Sequence, residues 1–163
     1  MLRDTRLARI ERLYERDFVA FVRVARGIVG DRERALEAVN DGFVDAIKAR
    51  AALRNEAALE AWVWRIVINE AVALRRQSPG ELEWDAESAT AASTNGVPEQ
   101  DAVVRAWVAA LPERQRLAIF LRYFADLDYR SIATALEVEV GTVSATLGAA
   151  HAALRRSFQE VAP

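Results

Sequence analysis

The stretch DYRSIATALEVEVGTVSATLGAAHAALRRSF, residues 128–158, decides the fold of the second half of the chain. Asp128 is a typical capping residue before a short segment with helical apolar periodicity, VEV supplies a turn, and a longer periodic segment begins at GTV. The small Ala133 lets two such helices cross closely. The pattern predicts a helix-turn-helix, a motif whose first helix braces a second helix in the major groove of DNA.

Two further helices are predicted immediately before this motif. The segment DAVVRAWVAALP is periodic and ends before Pro112, and PERQRLAIFLRYF continues the same periodicity. Proline is favoured at the first helical position, where its missing N–H would have no partner, so Pro112 is expected to open the second of these helices. Residues 101–163 are therefore predicted to form one helical domain.

The first 77 residues predict a separate helical bundle. Apolar residues recur at helical spacing from Ile10 to Ile28, and Gly30 can adopt the left-handed conformation that ends a helix. Asp31 is expected to cap a second helix over about 32–49, and Asn55 a third over about 56–76. Strand-like alternation is absent from the sequence, which predicts an all-α protein of two small domains.

The net charge of −2 conceals an uneven distribution. Residues 78–100, SPGELEWDAESATAASTNGVPEQ, contain five acidic residues and no basic one, and they are rich in Ser, Thr, Ala, Pro and Gly. Such a composition buries little apolar surface, which predicts a flexible acidic linker between domains 1–77 and 101–163. Trp84 within it is either a solvated linker residue or an anchor that docks on a domain or a partner.

Composition excludes several classes of site. The chain has no Cys and a single His, which argues against disulfides, a metal centre and a Ser/His catalytic arrangement. His151 is expected to be a surface or phosphate-side residue. Neither a phosphate-cradling glycine loop nor a membrane-spanning run is present, so we predict a cytoplasmic protein without enzymatic activity or a cofactor.

Both halves resemble one family, the extracytoplasmic-function sigma factors of the sigma-70 class. ALPERQRLAIFLRYFADLDYRSIATALEVEVGTVSATLGAAHAALRR is similar to the family's C-terminal domain, which reads the −35 promoter element. ALEAVNDGFVDAI is similar to its polymerase-binding helix, and AWVWRIVINEAVALRR to its −10 helix. The resemblance spans residues 8–158 and implies an alternative sigma factor that binds core RNA polymerase and directs promoter-specific initiation. Its implied partners are core polymerase, promoter DNA and an anti-sigma factor.

The resemblance implies a polymerase-binding set on the second predicted helix: Glu37, Asn40, Asp41 and Phe43. A carboxylate and an amide facing an Arg-rich coiled coil would make charge-assisted hydrogen bonds. Two alternatives stay open. Asp41 and Asp45 could simply form a solvated face, and the ring of Phe43 is better explained as part of the core.

The resemblance implies a second set, which binds the opened −10 element. It comprises aromatic, amide and basic residues, the types that hold unpaired bases and their phosphates: Arg50, Arg54, Asn55, Trp64, Arg65, Asn69, Arg75 and Arg76. Trp62 is expected in the core, and Trp64, on a different face, is the better candidate for nucleic acid or a partner. Glu70 departs from the family, since it occupies an apolar position.

The third implied set binds the −35 element: Arg116, Thr142, Ser144, Thr146, Arg155 and Arg156. The helix that should enter the groove lacks the Arg that commonly pairs with guanine. Hydroxyl, methyl and helix N-terminal contacts then have to provide recognition. The domain either reads DNA weakly or has turned to protein contact, which would make the chain a sigma-like interaction protein. A stand-alone repressor would leave the N-terminal domain unexplained.

Overall fold

The computed structural model describes residues 4–77 and 99–162. These residues form seven α-helices and no strand, which confirms the predicted all-α class: α1 Thr5–Val29, α2 Arg32–Ala49, α3 Leu59–Gln77, α4 Glu99–Ala109, α5 Glu113–Tyr123, α6 Tyr129–Leu136 and α7 Val140–Val161. Helix α4 begins at Glu99, two residues before the predicted start of the second domain. The rest of the predicted linker and Trp84 lie outside the described residues. None of the described helices is long and apolar enough to cross a membrane.

Three predicted helix boundaries are confirmed by their capping geometry. Gly30 ends α1 in the left-handed conformation, with φ 91° and its N–H donating to the Arg26 carbonyl. The Asp31 carboxylate accepts from the Arg34 N–H at 2.9 Å at the start of α2. Asp128 likewise accepts from the Ser131 N–H at 2.7 Å at the start of α6. Each cap satisfies a backbone group that the helix itself leaves without a partner.

Other boundaries differ from the prediction by a few residues. Asn55 caps a single 3-10 turn, Glu56–Ala58, and α3 begins only at Leu59. Pro112 precedes α5 as its N-cap residue and is not the first helical residue. In the helix-turn-helix, Glu137 ends α6 in the left-handed conformation, with φ 55°, and α7 begins at Val140. These shifts reflect cap geometry, which apolar periodicity does not encode.

The N-terminal domain is built around a continuous aromatic core. The rings of Phe21 and Trp64 stack with centroids 3.7 Å apart, and Phe43 meets Phe21 edge-on at 4.9 Å. Helices α2 and α3 approach closely at Gly42, where an added Cβ would lie 2.7 Å from Cγ2 of Val67. The absence of a side chain at Gly42 therefore sets the spacing between α2 and α3.

The C-terminal domain has the predicted helix-turn-helix, in which α6 crosses α7. Ile132, Ala133, Val143 and Leu147 are buried between the helices. The two domains also contact each other, because α6 packs along α3 and α5 packs against α1. The face of α6 that points away from its own domain is thus directed at the N-terminal domain.

Candidate polymerase-binding and nucleic-acid surfaces

The solvent face of α2 presents three of the four residues predicted to bind polymerase. Glu37, Asn40 and Asp41 are exposed, and the Asn40 Oδ1 accepts from the Tyr14 hydroxyl at 3.1 Å. Phe43 is buried, with its ring 4.9 Å from that of Tyr14, as the core alternative predicted. Val44 was missed: it lies on the same face with 47% of its surface exposed. Its spacing from Glu37 and Asn40 is the sequence signal that could have identified it.

Three carboxylates, Asp41, Asp45 and Glu70, create a negative region between α2 and α3. Partial burial of Glu70 raises the pKa of its carboxyl group, and the neighbouring Asp45 and Asp41 raise that pKa further. A carboxyl group in this setting resists ionisation because desolvation and like charges both disfavour the anion. A cationic partner would therefore bind favourably at this surface, because its charge would offset the repulsion among the three carboxylates.

The loop before α3 holds the residues predicted to capture a flipped base. Arg50 is held internally, since its Nε donates to an Asp4 carboxylate oxygen and its Nη1 to the Ile47 carbonyl, each at 2.6 Å. Asn55 is exposed, but its Oδ1 is occupied by the Ala57 N–H at 3.1 Å. Arg54 is exposed and is directed to solvent. Of this group, Arg54 is the residue most available to a ligand.

The predicted exposure of Trp64 is wrong. Its side chain is fully buried and stacked on Phe21, whereas Trp62 is half-buried. The indole Nε1 of Trp64 is buried without a hydrogen-bond partner among the described residues. An indole in this position cannot reach a base in this structure, so its role here is in packing. Trp62, which was predicted to lie in the core, is partly buried and packs against it, so the wrong assignment is that of Trp64.

The remaining predicted −10 residues divide into paired and exposed groups. Arg75 pairs with Glu113 of the C-terminal domain, with Nη1 and Oε1 2.8 Å apart. Arg65 similarly pairs with Glu137 at 3.8 Å. Asn69, in the middle of the same helix, and Arg76, near its end, are exposed. Part of the predicted nucleic-acid surface of α3 is thus occupied by the other domain.

The predicted phosphate-binding role of Arg116 conflicts with its position. The side chain is buried, and its Nη1 donates to the Ala109 and Leu111 carbonyls at 3.1 and 3.4 Å. Burial lowers the pKa of Arg116. The guanidinium fastens the end of α4 to α5 and cannot reach a phosphate in this arrangement. An arginine used for internal capping has no sequence signal that distinguishes it from a DNA-binding one.

The helix predicted to enter the groove, α7, presents small and hydroxyl side chains. Thr142 and Ser144 are exposed, whereas Thr146 is half-buried and its hydroxyl donates to the Thr142 carbonyl at 2.7 Å. Arg155 and Arg156 are exposed farther along the helix. This face can offer hydroxyl and methyl contacts at its start and positive charge only near its end.

Sequence interpretation also missed a groove of mixed charge between α1 and the start of α3. Its volume is about 590 Å³, and Arg9, Arg12 and Arg16 line it together with Glu15 and Glu60. Arg16 pairs with Glu60 at 3.0 Å. The arginines recur at spacings of three and four residues, a sequence signal that places them on one helix face.

The fold and these surfaces define a class: a two-domain helical protein with an exposed acidic helix face, a basic helix and a helix-turn-helix. Residues 13–79 match the family described as Sigma-70 region 2, and residues 102–154 match Sigma-70 region 4. The chain belongs to the sigma-70 family, among its extracytoplasmic-function (ECF) members.

Curated relatives support this assignment. The chain is 30% identical over 147 residues to the RNA polymerase sigma-H factor of Pseudomonas aeruginosa, covering 80% of this chain and 76% of that protein. It is 29% identical over 140 residues to the ECF RNA polymerase sigma-E factor of Escherichia coli K12, covering 76% and 73% of the two chains. The similarity therefore extends across both domains.

Two solved structures share the fold. One is the sigma factor RpoE in complex with the anti-sigma factor NepR from Bartonella quintana, with a TM-score of 0.70, 17% identity and coverage of 93% of this chain and 98% of that chain. The other is CnrH in complex with the cytosolic domain of CnrY, with a TM-score of 0.69, 22% identity and coverage of 94% and 89%. At these identities the match concerns architecture.

Proposed function

We propose that this protein is an alternative sigma factor that binds core RNA polymerase and directs it to a specific set of promoters. The observation that carries the proposal is the presence of both sigma regions in order on one chain. A stand-alone helix-turn-helix repressor would not account for the region 2 domain. Family membership, together with the absence of Cys and the single His in the sequence, also favours action in the cytoplasm without catalysis.

The polymerase contact is assigned to the exposed face of α2. Glu37, Asn40 and Asp41 supply carboxylate and amide oxygens, and Val44 adds an apolar contact at the same face. Charged and polar groups around an apolar centre favour a specific interface with a basic partner. The neighbouring Glu70, whose ionisation is disfavoured in the free chain, would be stabilised as an anion by that partner's positive charge.

Promoter opening is assigned to α3 and its preceding loop. Arg54, Asn69 and Arg76 are exposed, and Arg65 and Arg75 would join them once released from their carboxylate partners. Arginine side chains along a DNA strand neutralise its phosphates and release the bound counterions. This release drives binding without sequence preference. Trp64 is not included, because it belongs to the core.

Recognition of the −35 element is assigned to the start of α7, through Thr142 and Ser144, with phosphate contacts from Arg155 and Arg156. The second candidate function is a sigma-like protein whose C-terminal domain binds protein instead of DNA. The observation that favours it is the lack of charged side chains on the solvent face at the start of α7. An anti-sigma factor is proposed as a further partner, since one of the two similar structures is a sigma factor in complex with an anti-sigma factor.

Run-off transcription with purified core enzyme on fragmented genomic DNA tests these alternatives. A sigma factor yields discrete transcripts that depend on the added chain, and footprints of its holoenzyme cover both the −10 and −35 elements. Discrete transcripts without −35 protection would favour the protein-binding alternative for the C-terminal domain. If the chain bound core enzyme without producing any promoter-dependent transcript, the proposed function would be wrong.

A further inference from the structure

The loop between α2 and α3 is built from two short turns. The capture loop, residues 50–58, consists of two 3-10 turns and the three residues that join them: Arg50–Ala52, Leu53, Arg54, Asn55 and Glu56–Ala58. Leu53 is buried, whereas Arg54 and Asn55 are exposed. The loop therefore has one apolar side chain in the core and two polar ones available to a ligand.

Arg6, in the first turn of α1, contacts both turns of the capture loop. Its Nη1 donates to the carbonyl groups of Arg50 and Ala51, at 3.1 and 3.4 Å. Its Nε donates to Oε1 of Glu56 at 3.0 Å. A guanidinium is planar and its N–H donors point in fixed directions, so these contacts set the separation of the two turns. Only 29% of the Arg6 side chain is exposed.

Asp4 joins the same end of α1 to the first turn of the loop. Its Oδ2 accepts from Nε of Arg50 at 2.6 Å, and its Oδ1 accepts from the N–H groups of Arg6 and Leu7 at 3.1 and 3.4 Å. The hydrogen bond from Arg50 lowers the pKa of the Asp4 carboxyl group. One carboxylate thus caps α1 and holds the loop, so the start of α1 and the capture loop form one hydrogen-bonded unit.

The two exposed residues of the loop keep donors for a ligand. The Asn55 Oδ1 accepts from the Ala57 N–H at 3.1 Å, while the Asn55 NH2 group has no partner among the described residues. Arg54 likewise makes no hydrogen bond or ion pair within residues 4–77 and 99–162. N–H donors suit the acceptor atoms on the edge of an unpaired base. The direction of both side chains depends on the turns that flank them.

We propose that Arg6 is a positioning residue for the −10 strand: it holds the capture loop so that Arg54 and Asn55 meet an unpaired base in a fixed geometry. The inference rests on the proposed function, in which this loop contributes to promoter opening. A preorganised loop loses less conformational freedom on binding than a loose one, and it adapts less readily to the wrong base. Removal of Arg6 should therefore reduce discrimination between bases and leave polymerase binding unchanged.

Amide hydrogen exchange of the free chain tests whether Arg6 holds the loop. Arg6→Ala should accelerate exchange severalfold in the capture loop, where the N–H groups of Ala57 and Ala58 are hydrogen-bonded to Asn55. Arg12→Ala is the matched control, because Arg12 is exposed on the same helix and makes no hydrogen bond or ion pair with the loop. Exchange in the loop that was equal in wild type and Arg6→Ala would overturn the proposal.

Base discrimination by the holoenzyme tests the consequence for DNA. The probe is forked DNA from a promoter found by run-off transcription, with the −10 strand unpaired and each −10 position carrying the four bases in turn. The loop reads the position at which Arg54→Ala lowers the preference. Wild type should prefer one base there about tenfold, the range of one good base contact, and Arg6→Ala should lower that preference about threefold at unchanged core affinity. Arg6→Lys, which keeps a charge beside Glu56 without the planar fork, should fall between them, and Arg12→Ala should retain the full preference.

A double variant separates positioning from direct contact. In the Arg54→Ala background, Arg6→Ala should lower the base preference little further, because the side chain that it positions is gone. A full additional loss in that background would overturn the proposal. So would equal weakening for all four bases with a salt slope reduced by about 0.7–0.9, which is the behaviour of a direct phosphate contact.

The proposed function is judged by a different result. If the wild-type chain yields no transcript with core enzyme, that function is wrong, and the −10 role of Arg6 is wrong with it, whatever the exchange measurement shows. Promoter-dependent transcription with the same base preference in wild type and Arg6→Ala would refute the role of Arg6 alone.

Discussion

Replacing Trp64 separates a packing role from a nucleic-acid role. The side chain is fully buried and stacked on Phe21 with ring centroids 3.7 Å apart. Truncation of a buried aromatic residue to Ala typically costs about 3–5 kcal/mol. The Trp64 Nε1 lacks a hydrogen-bond partner among the described residues, so burying this donor already costs the native state some stability. We therefore expect Trp64→Ala to lower the free energy of unfolding by an amount near the lower limit, about 3 kcal/mol.

The assay is urea unfolding followed by far-UV circular dichroism, which does not depend on the four tryptophans as fluorophores. Trp64→Phe retains an aromatic ring against Phe21 and removes the unpaired donor, so it should cost much less than Trp64→Ala. Trp62→Ala is the matched control, because Trp62 is half-buried on the same helix. If Trp64→Ala changed stability by less than about 0.5 kcal/mol, the surface range for substitutions, the assignment to the core would be refuted.

Three other substitutions address charge. Asp41→Arg should weaken binding to core polymerase with no change in helicity, because the residue is exposed on the α2 face; unchanged core affinity would exclude that face. Glu70→Gln should stabilise the fold at neutral pH, because the pKa of the Glu70 carboxyl group is raised in the folded state. Ionisation of Glu70 therefore lowers the stability of the native protein as the pH rises above the unfolded-state pKa of about 4.3. The stability gained by the substitution should vanish below that pH. Asp128→Ala should cost about 0.5–2 kcal/mol of stability near neutral pH, because an N-cap is lost. Hydrogen bonding to the Ser131 N–H lowers the pKa of Asp128. The stability that the ionised carboxylate adds should therefore decrease as the pH falls through that lowered pKa. A loss of stability in Asp128→Ala that did not depend on pH would contradict this account.

Sequence patterning predicted the parts of this fold that depend on local geometry. The left-handed Gly30, the Asp31 and Asp128 caps and the crossing of α6 with α7 each follow from residue type and spacing. The assignment of Trp64 failed because two tryptophans two residues apart lie on different faces, and periodicity alone does not decide which face is turned to the core when both are apolar.

Arginine roles were the least predictable part of the candidate site. Arg116 binds carbonyl groups at the end of α4, and Arg65 and Arg75 bind carboxylates from a domain far away in sequence. A guanidinium has five donors and suits phosphates, carboxylates and carbonyl groups alike. Its partner is therefore fixed by tertiary contacts, which lie outside the information in a local motif.

The uncharged start of α7 provides the last test, because it separates weak DNA reading from protein contact. Ser144→Lys with Thr146→Arg adds two cations to a face that now presents hydroxyl and methyl groups. If this face lies against DNA, the holoenzyme should bind promoter duplex more tightly, and the slope of log affinity against log salt should steepen by up to about 1.8, at about 0.9 per neutralised phosphate. Thr146 is half-buried, so helicity and urea stability must first match the wild type.

A pair of cations away from α7 shows that their position matters. Ala106→Lys with Ala110→Arg adds the same two positive charges at exposed positions near the end of α4, to which no DNA contact is assigned, and should leave the salt slope nearly unchanged. An unimproved affinity for the Ser144 and Thr146 double variant, with a slope equal to that of this control, would show that the start of α7 does not face DNA. The protein-binding role would then be the better account of its uncharged surface, because added charge is costly at an interface that has excluded water.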